Sequence, residues 1–119
     1  MYPYEGQTNA HIWLGEHWAN ADKPIVVAES VFDLARVLEI YPNVISPLTA
    51  TVSAQKVARL RNASRVITLF DQDKAGERAR AKLNGGLPTT KLTHIELPPG
   101  TDAADHTADE IWELISFHL

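Results

Sequence analysis

The stretch that decides the fold is Val66-Ile67-Thr68-Leu69-Phe70-Asp71-Gln72-Asp73-Lys74-Ala75-Gly76. Its apolar first half is rich in β-branched residues, which is typical of a strand buried on both faces. This strand pattern stops at two aspartates separated by one residue, Asp71 and Asp73. Ligands of open α/β sheets bind at the carboxyl ends of the strands, so these two carboxylates are candidate functional groups.

Strand and helix patterns alternate upstream of this stretch. Ile25-Val26-Val27-Ala28 predicts a strand that ends on Glu29, and Ser30 is the expected N-cap of a helix that continues to residue 41. A second short strand is expected at residues 44–46, followed by a helix from Ser53 to Arg61. The basic side chains of that helix are expected to face outward: Lys56, Arg59 and Arg61.

The same alternation continues downstream. A helix is expected at residues 75–83 and ends at Asn84-Gly85-Gly86, and a strand is expected at residues 92–97. After a loop at residues 98–102, a helix is expected at residues 104–118. Its predicted inward face comprises Ile111, Trp112, Leu114 and Ile115. Together the patterns predict an α/β fold with a four-stranded, mainly parallel sheet flanked by helices and joined by right-handed crossovers.

The first 23 residues have no clear period. Residues 11–14 are compatible with a short edge strand, but Gly6, Gly15 and Asn20 interrupt any longer element. Residues 1–23 are therefore expected to form a lead-in segment or flap, and residues 24–119 are expected to form one domain.

Composition limits the class of protein. The chain has 119 residues, of which 45% are hydrophobic and 22% charged, and these are values of a globular domain. No apolar run reaches the roughly 18 residues that cross a bilayer, and the amino terminus lacks a secretory signal, so we expect a cytoplasmic protein without a membrane partner. The sequence contains no cysteine, which excludes disulfides and thiolate metal sites.

The net charge of -4 bears on nucleic-acid binding. A protein that holds a phosphate backbone by itself usually carries an excess of basic residues. This chain lacks that excess, so contacts with phosphate are expected to involve a metal, a few basic residues or another domain.

Four acidic residues follow predicted parallel strands, whose carboxyl ends share one edge of the sheet. They are Glu29 after the first strand, Asp71 and Asp73 after the third, and Asp102 after the fourth. Like charges at close range raise one another's pKa, so a cation is expected to neutralise them. Oxygen ligands favour a hard divalent ion, and Mg²⁺ takes one or two carboxylates together with waters and substrate phosphates.

These residues resemble the signature of the Toprim domain, and most closely that of bacterial and phage DNA primases. Glu29-Ser30-Val31-Phe32-Asp33 resembles the motif E-G-x-x-D, and Asp71-Gln72-Asp73-Lys74-Ala75-Gly76-Glu77 resembles D-x-D-x-A-G-R. Pro99-Gly100-Thr101-Asp102-Ala103 resembles a short acidic loop of the family. The resemblance extends from residue 24 to about residue 115, and it implies a compact, Rossmann-like Toprim fold.

The sequence departs from the primase pattern at three positions. Ser30 and Thr49 stand where glycine is usual, and Glu77 stands where a basic residue is common, although Arg78 is adjacent. The chain also lacks the zinc-binding module and the basic amino-terminal subdomain of primases. It is therefore expected to correspond to one part of such a protein.

The resemblance implies metal-assisted phosphoryl transfer, in which a 3′-hydroxyl attacks the α-phosphate of a nucleotide and pyrophosphate leaves. The implied catalytic residues are Glu29, Asp71 and Asp73, with the two aspartates binding Mg²⁺ or Mn²⁺. Glu29 either completes the metal site or acts as a general acid or base. Asp33 and Asp102 are further candidate metal ligands.

The resemblance also implies phosphate contacts and partners. Lys74, Arg78 and Arg80 lie near the amino end of the third helix, where backbone N–H groups favour anions. The implied partners are a DNA template, an RNA primer, nucleotides and other primase or helicase domains.

Two other functions remain open at this point. One is a small Toprim nuclease, and the other is a binding module like that of RecR-like proteins, in which the acidic residues are relicts.

Several candidate residues also have purely structural explanations. Asp73 is a suitable helix cap, and Asp33 is expected to be a capping or solvated residue. Asp105, Asp109 and Glu110 suit the amino end of the last helix, and Trp112 suits the core. A zinc site at His11 and His17 is disfavoured because the pair has no neighbouring ligand.

Overall fold

A central sheet organises the protein. The structure, a computed structural model, describes residues 12–47 and 52–119. Within these residues the strands are β1 (Trp13–Leu14), β2 (Ile25–Ala28), β3 (Val44–Pro47), β4 (Val66–Leu69) and β5 (Leu92–His94). Their order in the sheet is β1-β3-β2-β4-β5. The α/β class is confirmed, and the strand count is corrected from four to five because part of the predicted lead-in segment forms β1.

The register of the sheet places the functional candidates side by side. β2 lies between β3 and β4, and all neighbouring pairs from β3 to β5 are parallel. Only β1 runs antiparallel, pairing Trp13 with Pro47 and Leu14 with Ser46. Ala28 in β2 is paired with Leu69 in β4, so Glu29 and Asp71 leave the sheet next to each other.

The described part of the chain contains four α-helices and three short 3-10 helices. The α-helices are α1 (Val31–Leu38), α2 (Ala54–Ala58), α3 (Lys74–Gly86) and α4 (Ala108–Ser116). The 3-10 helices comprise Glu16–Trp18, Thr89–Lys91 and Ala103–Asp105. None of the described helices is both long and apolar enough to span a membrane.

Helices cover both faces of the sheet. Val27 and Val66 belong to one buried cluster, which also holds Leu83 of α3. Val26 and Ile67, their neighbours in sequence, belong to a second cluster with Ile111 of α4. This alternation follows from the period of two in a strand, and it explains why β2 and β4 are apolar throughout.

The orientation of Lys56 contradicts the expectation from its helix. α2 begins after the predicted cap Ser53 but ends at Ala58, and Lys56 is fully buried rather than outward. Its Nζ atom lies 6.0 Å from the centroid of the Trp13 ring, and Trp13 Nε1 donates a hydrogen bond of 2.9 Å to the Lys56 carbonyl. Burial lowers the pKa of Lys56. β1 thus lies against α2 and covers the lysine stem, an arrangement that a local helix pattern does not reveal.

α3 is longer than predicted because its carboxyl end packs closely on α2. The expectation that Asn84-Gly85-Gly86 would end the helix is wrong, since the helix includes all three residues. A Cβ atom added at Gly86 would lie 2.3 Å from Val57 Cγ1. Gly86 therefore permits the close approach of the two helices rather than ending α3.

The predicted last helix is two elements. A 3-10 helix at residues 103–105 is separated from α4, which Thr107 caps by accepting a hydrogen bond from the Glu110 N–H. Ile111 and Ile115 are buried as expected, and Leu114 is partly buried. Trp112 is 43% exposed, so its assignment to the core is wrong. It follows Ile111 by one residue, which rotates it by about 100° away from the core-facing side.

Candidate metal centre

Three carboxylates form a cluster at the carboxyl edge of the sheet. One oxygen atom from each of Glu29, Asp33 and Asp71 lies within 4.8 Å of the other two. Glu29 follows β2, Asp71 follows the adjacent strand β4, and Asp33 lies in the first turn of α1. We call these three residues the carboxylate cluster.

Electrostatics disfavour full ionisation of the carboxylate cluster. Burial, a hydrogen bond shared with Asp71 and the charges of Asp71, Asp73 and Asp33 raise the pKa of Glu29 to about 8. Burial also raises the pKa of Asp71, with additional contributions from Asp102, Asp73 and Asp105. Without a cation, the pair Glu29–Asp71 therefore retains a proton at neutral pH.

Asp71 also has an unsatisfied oxygen. Its Oδ1 atom is buried and has no hydrogen-bond partner among the residues that the structure describes. A buried carboxylate oxygen without a partner is costly, and such atoms are rare in folded proteins. A divalent cation bound to the carboxylate cluster would satisfy this atom and compensate the charges. The oxygen-only donor set fits a hard ion such as Mg²⁺ or Mn²⁺.

Asp33 belongs to the carboxylate cluster and also joins two elements. It is 1% exposed, so of its two expected structural roles, capping or solvated, the solvated one is wrong. Its Oδ2 accepts a hydrogen bond of 3.0 Å from Ser30 Oγ, and its Oδ1 accepts one of 2.9 Å from the Ala104 N–H. Ser30 caps α1 as predicted by accepting from the Asp33 N–H. Asp33 therefore holds the start of α1 against the 3-10 helix at residues 103–105.

Asp73 and Asp102 lie beside the carboxylate cluster rather than in it. Asp73 caps α3 through a hydrogen bond of 2.7 Å from the Gly76 N–H to its Oδ1. Asp102 caps the next 3-10 helix in a reciprocal capping box with Asp105. Burial and the charges of Asp33 and Asp105 raise the pKa of Asp102.

An acidic cleft of about 200 Å³ connects these residues. Its lining residues are Asp71, Gln72, Asp73, Gly100, Thr101, Asp102 and Asp105. Asp71 thus belongs both to the carboxylate cluster and to the wall of the acidic cleft. A ligand in this cleft would lie next to a cation held by the cluster.

The three candidate phosphate-binding residues occupy different environments. Lys74 and Arg78 are exposed on α3. Arg80 is partly buried, and its Nη1 donates a hydrogen bond of 3.3 Å to the Asp71 carbonyl. Arg80 therefore supports the backbone of the acidic residue, a contact that the sequence did not predict.

Sequence reasoning assigned no role at this edge of the sheet to Asp105 or His94. Asp105 was expected only to suit a helix terminus, yet it lines the acidic cleft and raises the pKa of Asp71. His94 lies within the strand expected at residues 92–97, and its ring forms hydrogen bonds with Thr68 and Asn84. The only sequence signal for the placement of His94 is its position in this predicted strand.

His17 is exposed and contacts the Trp18 ring edge to face, with centroids 4.4 Å apart. His11, the other half of the disfavoured zinc pair, lies outside the described residues, as does Thr49.

Comparisons with known proteins agree with the observed fold. The sequence model of the Toprim-like family matches residues 26–107. A solved primase fragment of the bacteriophage T7 primase-helicase protein is 29% identical, with a TM-score of 0.69, and the alignment covers 84% of this chain and 46% of that one. A DNA primase domain from Pseudomonas aeruginosa is 25% identical, with a TM-score of 0.70, and the alignment covers 92% of this chain and 39% of that one.

The alignments cover only part of each primase structure. The chain spans less than half the length of both primase structures. A comparison with curated protein sequences finds no match. The resemblance to Toprim domains of DNA primases, first indicated by three short motifs, is confirmed. Because the family match covers most of the sequence, the chain belongs to the Toprim-like family.

Proposed function

We propose that this chain is the catalytic Toprim module of a primase-like protein and that it transfers nucleotidyl groups with Mg²⁺ or Mn²⁺. The observation that carries the proposal is the buried Oδ1 of Asp71 in the carboxylate cluster, which has no hydrogen-bond partner in the described part of the chain. Similarity to primase structures supports the choice of reaction. The bound cation would neutralise charge on the phosphates of the substrate and orient them.

The chain's own groups have distinct roles in this proposal. Glu29, Asp33 and Asp71 hold the cation, and Asp73 and Asp102 add negative charge at the acidic cleft. If Glu29 does not bind the cation, its raised pKa suits it instead to accept the proton of an attacking 3′-hydroxyl.

The basic residues of α3 contribute to binding and positioning. Lys74 and Arg78, which are exposed at the amino half of the helix, contact phosphates. Arg80 positions Asp71 through the carbonyl of that residue.

The proposed partners are a DNA template, an RNA primer and nucleotides. A net charge of -4 disfavours a strong grip on a template by this chain alone. We therefore assign part of the template contact to other primase or helicase domains. The bacteriophage T7 relative, which is a fragment of a primase-helicase protein, supports that assignment.

Thermal unfolding tests the metal site. Mg²⁺ and Mn²⁺ should raise the melting temperature of the wild type, since a ligand at about 100 times its Kd adds about 2.7 kcal/mol to the free energy of unfolding. Asp71→Asn should abolish the shift. Asp22→Asn, which removes an exposed carboxylate before β2 at the opposite edge of the sheet, should retain it. A wild type that does not respond to either ion contradicts the proposal.

Activity assays test the reaction. Wild type and Asp71→Asn are compared in primed synthesis with nucleotides and in cleavage of labelled DNA. Synthesis that requires both a divalent ion and Asp71 supports the proposal. Cleavage without synthesis favours the small nuclease, and metal binding with neither activity favours the RecR-like binding module.

A further inference from the structure

A second cleft lies beside the acidic cleft, between α3 and the end of β5. Its volume is about 460 Å³, which is within the range of small-molecule sites. Its polar lining residues are Gln72, Glu77, Arg80, Asn84, His94 and Glu96. Gln72 lines both this cleft and the acidic cleft, so the two are neighbours along the carboxyl edge of the sheet.

The imidazole of His94 forms a fixed wall of the second cleft. Its Nδ1 lies 2.6 Å from Thr68 Oγ1, and its Nε2 lies 3.0 Å from Asn84 Oδ1. In the neutral tautomer with a proton on Nε2, the ring accepts from the buried Thr68 hydroxyl and donates to the Asn84 side chain. Burial and the nearby Arg80 lower the pKa of His94, which favours this neutral form. The second cleft therefore presents a flat, uncharged ring in a fixed orientation.

The charges of the second cleft disfavour a phosphate group. Glu77 and Glu96 supply two carboxylates against the single guanidinium of Arg80. Arg80 is also committed in part to the Asp71 carbonyl. A ligand with neutral hydrogen-bond donors and acceptors and a flat face suits this lining better than a second anion. Carboxylate and amide oxygens accept from amino and hydroxyl groups, and imidazole and guanidinium planes stack on bases.

We propose that the second cleft binds the base and ribose of a nucleoside triphosphate whose phosphates lie in the acidic cleft. This inference rests on the proposed function, because it places the substrate of that reaction across both clefts. The described residues give each part of the substrate a matching environment. A cation held by the carboxylate cluster would bind the phosphates, and neutral and mixed polar groups line the second cleft for the nucleoside.

Calorimetric titration tests the inference. ATP and inorganic tripolyphosphate, each with saturating Mg²⁺, are titrated into the wild type, Ala81→Trp and Ala54→Trp. Ala81 is exposed on α3 and lines the second cleft, whereas Ala54 is exposed on α2 and lines neither cleft. We expect the wild type to bind ATP about ten-fold more tightly than tripolyphosphate, a ratio consistent with the stacking of one base. Ala81→Trp should reduce this ratio to about one without weakening Mg²⁺ binding, and Ala54→Trp should keep the wild-type ratio.

Equal affinity of the wild type for ATP and tripolyphosphate overturns the inference, as does an unchanged ratio in Ala81→Trp. A second measurement on the unaltered protein does not depend on the folding of a variant. The NMR signals of the His94 ring should shift with ATP but not with tripolyphosphate, and those of His118 should shift with neither. Failure of the proposed function is distinguishable, because the primed-synthesis assay would then show no synthesis, whatever the ratio of the two affinities.

Discussion

Gly76 lies so close to Asp71 that a Cβ atom added at Gly76 would be 2.0 Å from the Asp71 carbonyl oxygen. The first turn of α3 passes directly beneath the end of β4, and Asp73 caps that turn. The glycine of the central motif is therefore required by the geometry that holds Asp71 in the carboxylate cluster. It is in a helix with ordinary backbone angles, so the reason is space rather than a left-handed conformation.

Gly76→Ala should displace Asp71 and damage the metal site. The added methyl meets backbone rather than a flexible side chain, so we expect a loss of about 1–3 kcal/mol in the free energy of unfolding. Mg²⁺ affinity should fall by about ten-fold, as expected if the displacement costs about 1.4 kcal/mol of binding. Denaturant unfolding and calorimetric Mg²⁺ titration measure the two effects.

Gly85→Ala in the same helix is the matched control. Among the described residues, no atom beyond the chain neighbours and the backbone of the helix itself lies within 4 Å of a Cβ at that position. This change should therefore leave Mg²⁺ affinity unchanged and stabilise the helix by about 0.5–1 kcal/mol. If both alanine variants have the same free energy of unfolding and the same Mg²⁺ affinity, the contact between Gly76 and Asp71 does not determine the metal site.

The role of Asp73 as a helix cap is separable from its charge. Asp73→Ala removes the acceptor of the Gly76 N–H and should cost about 1 kcal/mol of stability in EDTA. Asp73→Ser keeps an acceptor but removes the charge, so its unfolding free energy in EDTA should remain close to that of the wild type. Urea unfolding of the three proteins measures this difference. Equal losses in the alanine and serine variants would show that charge rather than capping determines stability at this position.

Local patterns were sufficient to predict the central strands but not all of their contacts. β2 and β4 are apolar runs with abrupt ends, and in a sheet covered on both faces such runs have few alternative structures. β1 has only two residues, too few to show a period, and its place is set by pairing with β3. Lys56 is buried because Trp13, 43 residues away, packs against it. That contact depends on the tertiary fold rather than on the pattern of α2.

The site was predictable where the sheet itself determines position. Glu29 and Asp71 follow adjacent parallel strands in register, so strand order alone brings them together. The sequence predicts Asp73 and Asp102 as ligands of the same metal site, but hydrogen bonds in the following turns make both of them helix caps beside it. The position of Asp33 in the carboxylate cluster is set by α1 and by a hydrogen bond from the N–H of Ala104, which is 71 residues away. A distance of a few ångströms between loop residues depends on such contacts, which motif spacing does not specify.

Asp33 and Asp71 should respond differently to replacement by asparagine. Asp33 accepts two hydrogen bonds, and an amide has only one oxygen, so Asp33→Asn should lose about 1–3 kcal/mol of stability in EDTA. Asp71 has an unpartnered buried oxygen and a raised pKa, so Asp71→Asn should be as stable as the wild type in EDTA, or more stable. Both variants should lose the stabilisation by Mg²⁺. Urea unfolding with EDTA and with Mg²⁺ distinguishes the two effects, and a large loss for Asp71→Asn in EDTA would contradict the assignment of its Oδ1 to a cation.

The pH dependence of stability should report the proton held by Glu29. The pKa of Glu29 is about 8 in the folded protein, against 4.5 for the ordinary carboxyl. Between these values the folded protein binds a proton that the unfolded chain has lost, so the free energy of unfolding contributed by this group falls as pH rises. In EDTA, stability should therefore decrease from pH 5 to about pH 8, and Glu29→Gln should reduce that decrease. Saturating Mg²⁺ should oppose the decrease, because the cation binds the ionised carboxylates.

Glu113→Gln, which changes an exposed glutamate in α4, is the control and should keep the wild-type slope in urea unfolding across this range. If Glu29→Gln and Glu113→Gln have the same slope in EDTA, Glu29 does not hold the proton.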